Sequence, residues 1–402
     1  MTDFSAEEFF QEEDARASGA GSQQPSWAPI IIDVGEDLDP IPPRAWLLST
    51  TFCREFVSSL LAAGATGKTA LRIAQLLALA TGRPLTGEYV FIRSRVMLIG
   101  LEDGIHELRR RVRAAMRHYQ VKPDDIKGWF YIVALPPEGG KLVSDKGEAP
   151  LKEWVQQQIT EKQLDLVCLD PLVKIHDVEE NDNGAIEQVI GTLARLAVTY
   201  NIAVDVPHHI SKGTADPGNA DRGRGASSFK DGGRLVFTLT AASEDEAERF
   251  GIPADDRRRY IRLDPGKVNL APSAKTRWFQ LIGVKLDNAT ELYPAGDELQ
   301  VTVPWSPPET WAGLSTEALN IALDEIEAGL PSGQRYSGSP AAKERAAWTV
   351  VQQYCPDKSA KQCREIVATW LKNGVLYNDE YKDPLKRDSR IGLRLNAAKR
   401  PT

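Results

Sequence analysis

Eight residues at positions 62–69, Ala62-Ala63-Gly64-Ala65-Thr66-Gly67-Lys68-Thr69, constrain this 402-residue chain more than any other feature. They follow a short apolar run, Phe56 to Ala62, and open a stretch with helical spacing, Lys68 to Ala80. A strand that turns through small residues into a helix aims consecutive backbone N–H groups and the positive end of the helix dipole at one point. That arrangement binds anions. A lysine and a hydroxyl at the start of the helix complete the phosphate-loop pattern, in which only the first glycine is replaced, by Ala62. On this reading Ala63, Gly64, Ala65, Thr66, Gly67, Lys68, Thr69 and Ala70 hold a nucleotide, ATP. Backbone N–H groups of Gly64 to Lys68 surround the β-phosphate, Lys68 reaches the β- and γ-phosphates, and Thr69 Oγ1 ligates Mg²⁺.

Nucleotide hydrolysis also requires an acid beside the metal and a base for the attacking water. Leu164 to Asp170 is an apolar run ending in an acid, which makes Asp170 the expected metal-supporting carboxylate. Val96 to Leu101 is a second such run, ending in Glu102 and Asp103. In a parallel sheet its end adjoins the phosphate loop, so Glu102 is the candidate base and Asp103 the fallback. His208-His209 ends a third run and could sense the γ-phosphate through a neutral imidazole. A metal site made by both histidines is disfavoured, because adjacent residues on a strand face opposite sides.

The early apolar runs, including Arg95 to Leu101 and Ile202 to Pro207, alternate with helical stretches at Ile105 to Tyr119, Leu151 to Glu161 and Ala185 to Tyr200. Strands separated by helices predict an α/β fold with a doubly wound, mainly parallel sheet. Leu235 to Ala241, Tyr260 to Leu263 and Trp278 to Val284 have no helices between them, which predicts antiparallel hairpins extending that sheet. Two polar stretches, His176 to Gly184 and Ser211 to Gly225, each follow a predicted strand and so lie at the carboxyl edge, where open α/β sheets place ligands.

Charge divides the chain as well. Residues 1–40 hold ten acids and one base and read as a flexible acidic arm, whereas residues 341–402 hold thirteen bases and seven acids. Pro304 to Gly313 reads as a linker, assigned to 304–314, between a nucleotide-binding domain over 41–303 and a module over 315–402. In that module three helical patterns, Thr316 to Gly329, Pro340 to Gln353 and Ser359 to Lys372, precede two β-prone segments around a charged turn, the order of a winged helix. Ser359 and Gln362 form the capping box of the third helix. No apolar run suits a membrane span and the N-terminus lacks a signal-peptide pattern, so a cytoplasmic protein is expected, with its four scattered cysteines reduced.

The combination GATGKT, LIGLEDG, LVCLDPL, VDVPHHISKG, GRGASS and DPGKVN, in this order and spacing, resembles the RecA-fold ATPases of the plasmid RepA type. These are compact ring helicases related to the DnaB and KaiC cores, and the resemblance spans Ile41 to Val284. It implies a RecA-like ATPase domain, a homo-oligomer, most often a hexamer, and ATP at the subunit interfaces. By the same resemblance Lys68 and Thr69 bind phosphates and Mg²⁺, Glu102 activates water, Asp170 supports the metal and His209 relays the γ-phosphate state. Arg224 would donate an arginine finger to the neighbouring subunit, Lys267 would support it, and Arg111 would pack against the adenine. Loops after Asp170 and His209 would face a central channel and contact single-stranded DNA. The C-terminal winged helix lies outside the resemblance; its expected partner is duplex DNA or a replication protein. Three functions therefore stand open: an ATP-driven DNA motor, a non-motor ATP switch that assembles on DNA and recruits partners, and a kinase using the same loop.

Overall fold

The computed structural model describes residues 31–37, 39–136, 141–144, 150–176, 183–209, 217–218, 233–271, 275–308, 314–386 and 388–401. Residues 1–43 form one unit and residues 44–402 another, and every strand and helix named below lies in the second.

A small antiparallel hairpin, β1 (Trp46–Leu48) and β2 (Phe52–Cys53), leads into the main sheet. The parallel strands are β3 (Val57–Ala62), β4 (Val96–Gly100), β5 (Phe130–Ala134), β6 (Leu166–Asp170), β7 (Ala203–Asp205), β8 (His208–His209) and β9 (Leu235–Ala241). Three antiparallel strands, β10 (Tyr260–Val268), β11 (Arg277–Lys285) and β12 (Glu298–Trp305), extend it beyond β9. Among the described residues the sheet has ten strands in the order β12-β11-β10-β9-β3-β7-β6-β4-β5, with β8 beside β3. The expected antiparallel extension is present from β10 to β12, but Leu235 to Ala241 pairs parallel with β3, and helix Glu244–Phe250 separates it from β10, so this run closes the parallel part of the sheet rather than opening the hairpins.

Alternation along the parallel strands separates two cores. Met97, Ile99, Val167, Leu169 and Val204 face the helices Pro150–Lys162 and Asn183–Thr199. Val96, Leu98, Leu166, Cys168 and Ala203 face the helices Lys68–Thr81 and Ile105–His118. Side chains two apart on a strand share a face, so continuous apolar runs are what a sheet covered on both faces needs. β11 and β12 cover the outer side of this second pair of helices: Val301 joins their core, and Tyr119 Oη donates to the Thr302 carbonyl at 2.5 Å. Helix Lys68–Thr81 is thus enclosed, with twelve of its fourteen residues buried. It starts after Gly67 and stops at Gly82, both left-handed (φ 92° and 69°), where side-chain-bearing residues are strained.

β12 runs through Trp305, with Pro304 opposite Phe279 and Trp305 opposite Trp278, so the stretch read as the start of the linker completes the edge strand. Pro304 is tolerable there because an edge strand has an unpaired side. The module beyond it has helices Thr316–Ala328, Ala347–Tyr354 and Ala360–Asn373, followed by the antiparallel pair β13 (Leu376–Lys382) and β14 (Ser389–Leu395). Its core is its own, built on Leu323, Ile326, Val350, Val351, Ile366, Trp370 and Leu393. The third helix carries the expected capping box, with Ser359 Oγ accepting from Gln362 N and Gln362 Oε1 accepting from Ser359 N. The second is shorter than Pro340 to Gln353: Arg345 Nε donates to the Arg335 carbonyl, Ala347 N donates to the Ser337 carbonyl, and the helix begins only at Ala347. The third helix rests on helix Glu244–Phe250 through ion pairs of Lys361 with Asp245 at 3.2 Å and Arg249 with Glu365 at 3.2 Å.

The four cysteines are free and buried. No helix among the described residues is long and apolar enough to cross a membrane.

Candidate functional site

The phosphate loop leaves β3 at its carboxyl end. Ala62, in the place of the pattern's first glycine, is fully buried in the sheet, opposite His209 on one side and Leu239 on the other. It belongs to the strand, so its methyl group packs in the core. Past it the chain opens: Gly64 and Ala65 are exposed, and a Cβ on Gly64 would meet no protein atom within 4 Å. Thr66 Oγ1 closes the loop on itself by donating to the Ala63 carbonyl at 2.8 Å. Ala65 stands at φ 62° and Gly67 at φ 92°, so two residues turn left-handed within the loop. Leu281 of β11 presses against Gly67, where an added Cβ would come within 2.8 Å of its Cδ2. Gly67 is therefore required both by its backbone angle and by a close neighbour.

Three expected residues meet at the start of the helix. Thr69 Oγ1 donates to Asp170 Oδ2 at 2.7 Å, and Lys68 Nζ lies 3.8 Å from Asp170 Oδ1. Lys68 and Asp170 are 5% and 7% exposed, so this charge pair is almost out of water. Burial pushes the lysine below its ordinary pKa, against the pull of Asp170 and Glu102, and pushes the Asp170 carboxyl up, against Lys68 and the Thr69 hydroxyl. Lys68 Nζ has no hydrogen-bond partner among the described residues. A buried ammonium without a hydrogen bond is costly, and phosphate oxygens would supply what it lacks. A hydroxyl, a carboxylate and an open loop of backbone N–H groups also make the donor set a magnesium–nucleotide complex requires.

Register brings the second acid close. Gly100 of β4 pairs with Asp170 of β6, and Leu101 N donates to the Asp170 carbonyl at 2.9 Å, so both strands end level. Glu102, immediately beyond, is half exposed and lies with its Oε2 3.6 Å from His209 Nε2. Asp103, the fallback base, is engaged elsewhere: Arg111 Nε sits 3.1 Å from Asp103 Oδ2 and 3.1 Å from Glu107 Oε1. Of the two acids, Glu102 is the one whose charge acts on Lys68. Arg111 lies on helix Ile105–His118, partly exposed and held by these two carboxylates.

Lys267 does not join this cluster. Lys267 is on β10 opposite Val236, which in turn stands opposite Ser59, three residues before the carboxyl end of β3. It is thus set back from its own phosphate loop. Arg224 lies outside the described residues, as do most of the polar stretches 176–184 and 211–225.

A second polar group went unseen in the sequence. Arg72 and Asp205 are fully buried, and Arg72 Nη2 donates to Asp205 Oδ1 at 2.8 Å. Asp205 sits within the apolar run Ile202 to Pro207 and Arg72 within LRIAQLLALA. A charge inside an otherwise continuous apolar segment was the signal available, since such charges are tolerated in a core only when paired.

Residues 25–215 match the AAA domain family AAA_25. The match runs past β8 and so includes the loop, Glu102, Asp170 and His209. With the mainly parallel ten-stranded sheet it supports a RecA-like P-loop ATPase fold, which binds nucleotide together with a divalent metal.

Proposed function

We propose that this P-loop ATPase is an ATP-driven DNA motor, a hexameric replicative helicase of a plasmid, phage or integrated element, using ATP and Mg²⁺. The observation that carries the reading is the contact between Glu102 and His209, because it joins the candidate base to the strand that precedes the glycine-rich stretch 211–225. A histidine so placed can report the phosphate state to a loop that would contact single-stranded DNA.

The residues divide the work. Lys68 and the loop N–H groups hold the β- and γ-phosphates, and Thr69 and Asp170 hold the metal, which neutralises charge on the phosphates when bound. Glu102 accepts a proton from the attacking water; its exposure gives water access to it. Arg111 would border the adenine, Arg224 would reach a neighbour's γ-phosphate with support from Lys267, and hydrolysis would then depend on assembly. The set-back position of Lys267 suits a residue acting on the adjacent subunit.

The C-terminal module reads as a winged helix for duplex DNA or a replication protein. Its third helix has Lys361 and Glu365 turned to helix Glu244–Phe250 but keeps Arg364 and Lys372 exposed, and the hairpin region adds the exposed Lys382 and Lys386. ATP hydrolysis stimulated by single-stranded DNA, with ATP-dependent displacement of a strand from a forked duplex, is the expected result. Stimulated hydrolysis without displacement would support the non-motor switch, and hydrolysis indifferent to DNA would remove the DNA reading.

A further inference from the structure

We infer that Asp205 and Arg72 are positioning residues that set the distance between Thr69 and Asp170, and with it the affinity of the site for magnesium–nucleotide. The inference rests on the phosphate-loop reading. β7 lies between β3 and β6, and Asp205 is on it. One carboxylate gathers three elements of the site: its Oδ1 accepts from Ser58 Oγ of β3 at 2.7 Å and from Arg72 Nη2 at 2.8 Å, and its Oδ2 accepts from Cys168 Sγ of β6 at 3.4 Å. Ser58 is on the strand that delivers the loop. Arg72 lies one helical turn after Lys68, and Cys168 two residues before Asp170.

Arg72 is fixed from its other side as well. Its Nη1 donates to Gln75 Oε1 at 2.7 Å, Gln75 Nε2 donates to Glu88 Oε2 at 2.7 Å, and the guanidinium lies 5.0 Å from the Phe52 ring centre. Glu88 then accepts from Thr51, Thr86 and Arg277. The chain of bonds thus ties the phosphate-loop helix to β11, the strand whose Leu281 presses on Gly67. Buried ion pairs contribute little to stability compared with apolar residues of the same shape, but they are strict about geometry. The pair joins the helix that carries Thr69 to β7, and the Cys168 contact with Asp205 extends the link to β6, which carries Asp170, the place where that geometry matters.

Equilibrium binding of a fluorescent ATP analogue, measured against magnesium concentration together with melting temperature, tests the inference. Asp205→Asn should raise the magnesium needed for half-maximal binding about tenfold and leave metal-free binding unchanged. The double variant Arg72→Met with Asp205→Asn removes both charges; it should recover melting temperature without recovering the magnesium midpoint. Ser58→Ala, which leaves no charge unpaired, should shift the midpoint in the same direction by a smaller factor and serves if Asp205→Asn does not fold. An unchanged midpoint in the folded variants, or a double variant that recovers both quantities, overturns the inference. Lys68→Ala separates the two levels of argument: loss of binding in it beside an unchanged Asp205→Asn defeats the positioning role alone, whereas a wild-type protein that binds no nucleotide defeats both.

Discussion

The phosphate-loop end of the sheet and the C-terminal module use the same charged residue types under opposite conditions. At the loop, Arg72 and Asp205 are wholly buried, and Lys68 and Asp170 nearly so. At the module, Lys361 pairs with an Asp245 side chain that is 89% exposed, and Arg249 is half exposed beside Glu365. In low dielectric a charge is held only by well-placed partners, so the first set has one arrangement; in water the second set can exchange partners at little cost. The loop end is accordingly pre-organised for a charged ligand, while the module is attached through contacts that salt or a polyanion can replace.

Variants at the two regions should sharpen this contrast. The largest effect belongs to the proposed arginine finger. Arg224→Ala should lower turnover by ~10³ to 10⁵. Mixing it with Lys68→Ala subunits should restore hydrolysis at interfaces where the lysine variant donates Arg224. Mixed assemblies that stay inactive despite confirmed co-assembly would show that the finger acts within one subunit or is absent. Next comes the base: Glu102→Gln keeps the side chain's shape without its proton acceptor and should slow hydrolysis by ~10² to 10⁴ while ATP still binds. If Asp103→Asn stalls turnover and Glu102→Gln does not, the carboxylate paired with Arg111 is the base after all.

Stability should follow burial. Removing one member of the Arg72–Asp205 pair alone, as in Arg72→Met, should cost about 3–5 kcal/mol, because a buried carboxylate loses its cation. Lys361→Ala should cost less than about 1 kcal/mol, and added salt should erase the difference. Denaturant unfolding followed at low and high salt checks both. Equal losses at the two positions would remove the contrast on which this comparison is built.

How much of this was legible in the sequence follows the same division. The interior strands β3, β4, β6 and β9 were readable because a sheet covered on both faces demands continuous apolar runs, as in Val96 to Gly100. β5 and β12, the two ends of the sheet, were not read. All five residues of β5 are only partly buried, and β12 mixes Glu298, Gln300 and Pro304 with Val301 and Val303. Edge strands are half wet and carry a weaker pattern. Lys68 and Thr69 could be proposed from the phosphate-loop pattern, and Asp170, Glu102 and His209 from the ends of apolar runs; the described structure places Lys68 and Thr69 at Asp170 and Glu102 at His209. Arg72 and Asp205 escaped because charged residues are ordinarily assigned to the surface, and only tertiary pairing between positions 133 apart makes them compatible with a core.

Steady-state ATP hydrolysis by Lys68→Ala, compared with wild type at saturating magnesium and with folding confirmed by an unchanged circular-dichroism spectrum, tests the central assignment most directly. Lys68 supplies the buried ammonium, without a hydrogen-bond partner among the described residues, that awaits the phosphates. The variant should show no turnover above background and no nucleotide-dependent rise in melting temperature. Hydrolysis at the wild-type rate by the folded variant would contradict the assignment of this loop as the nucleotide site.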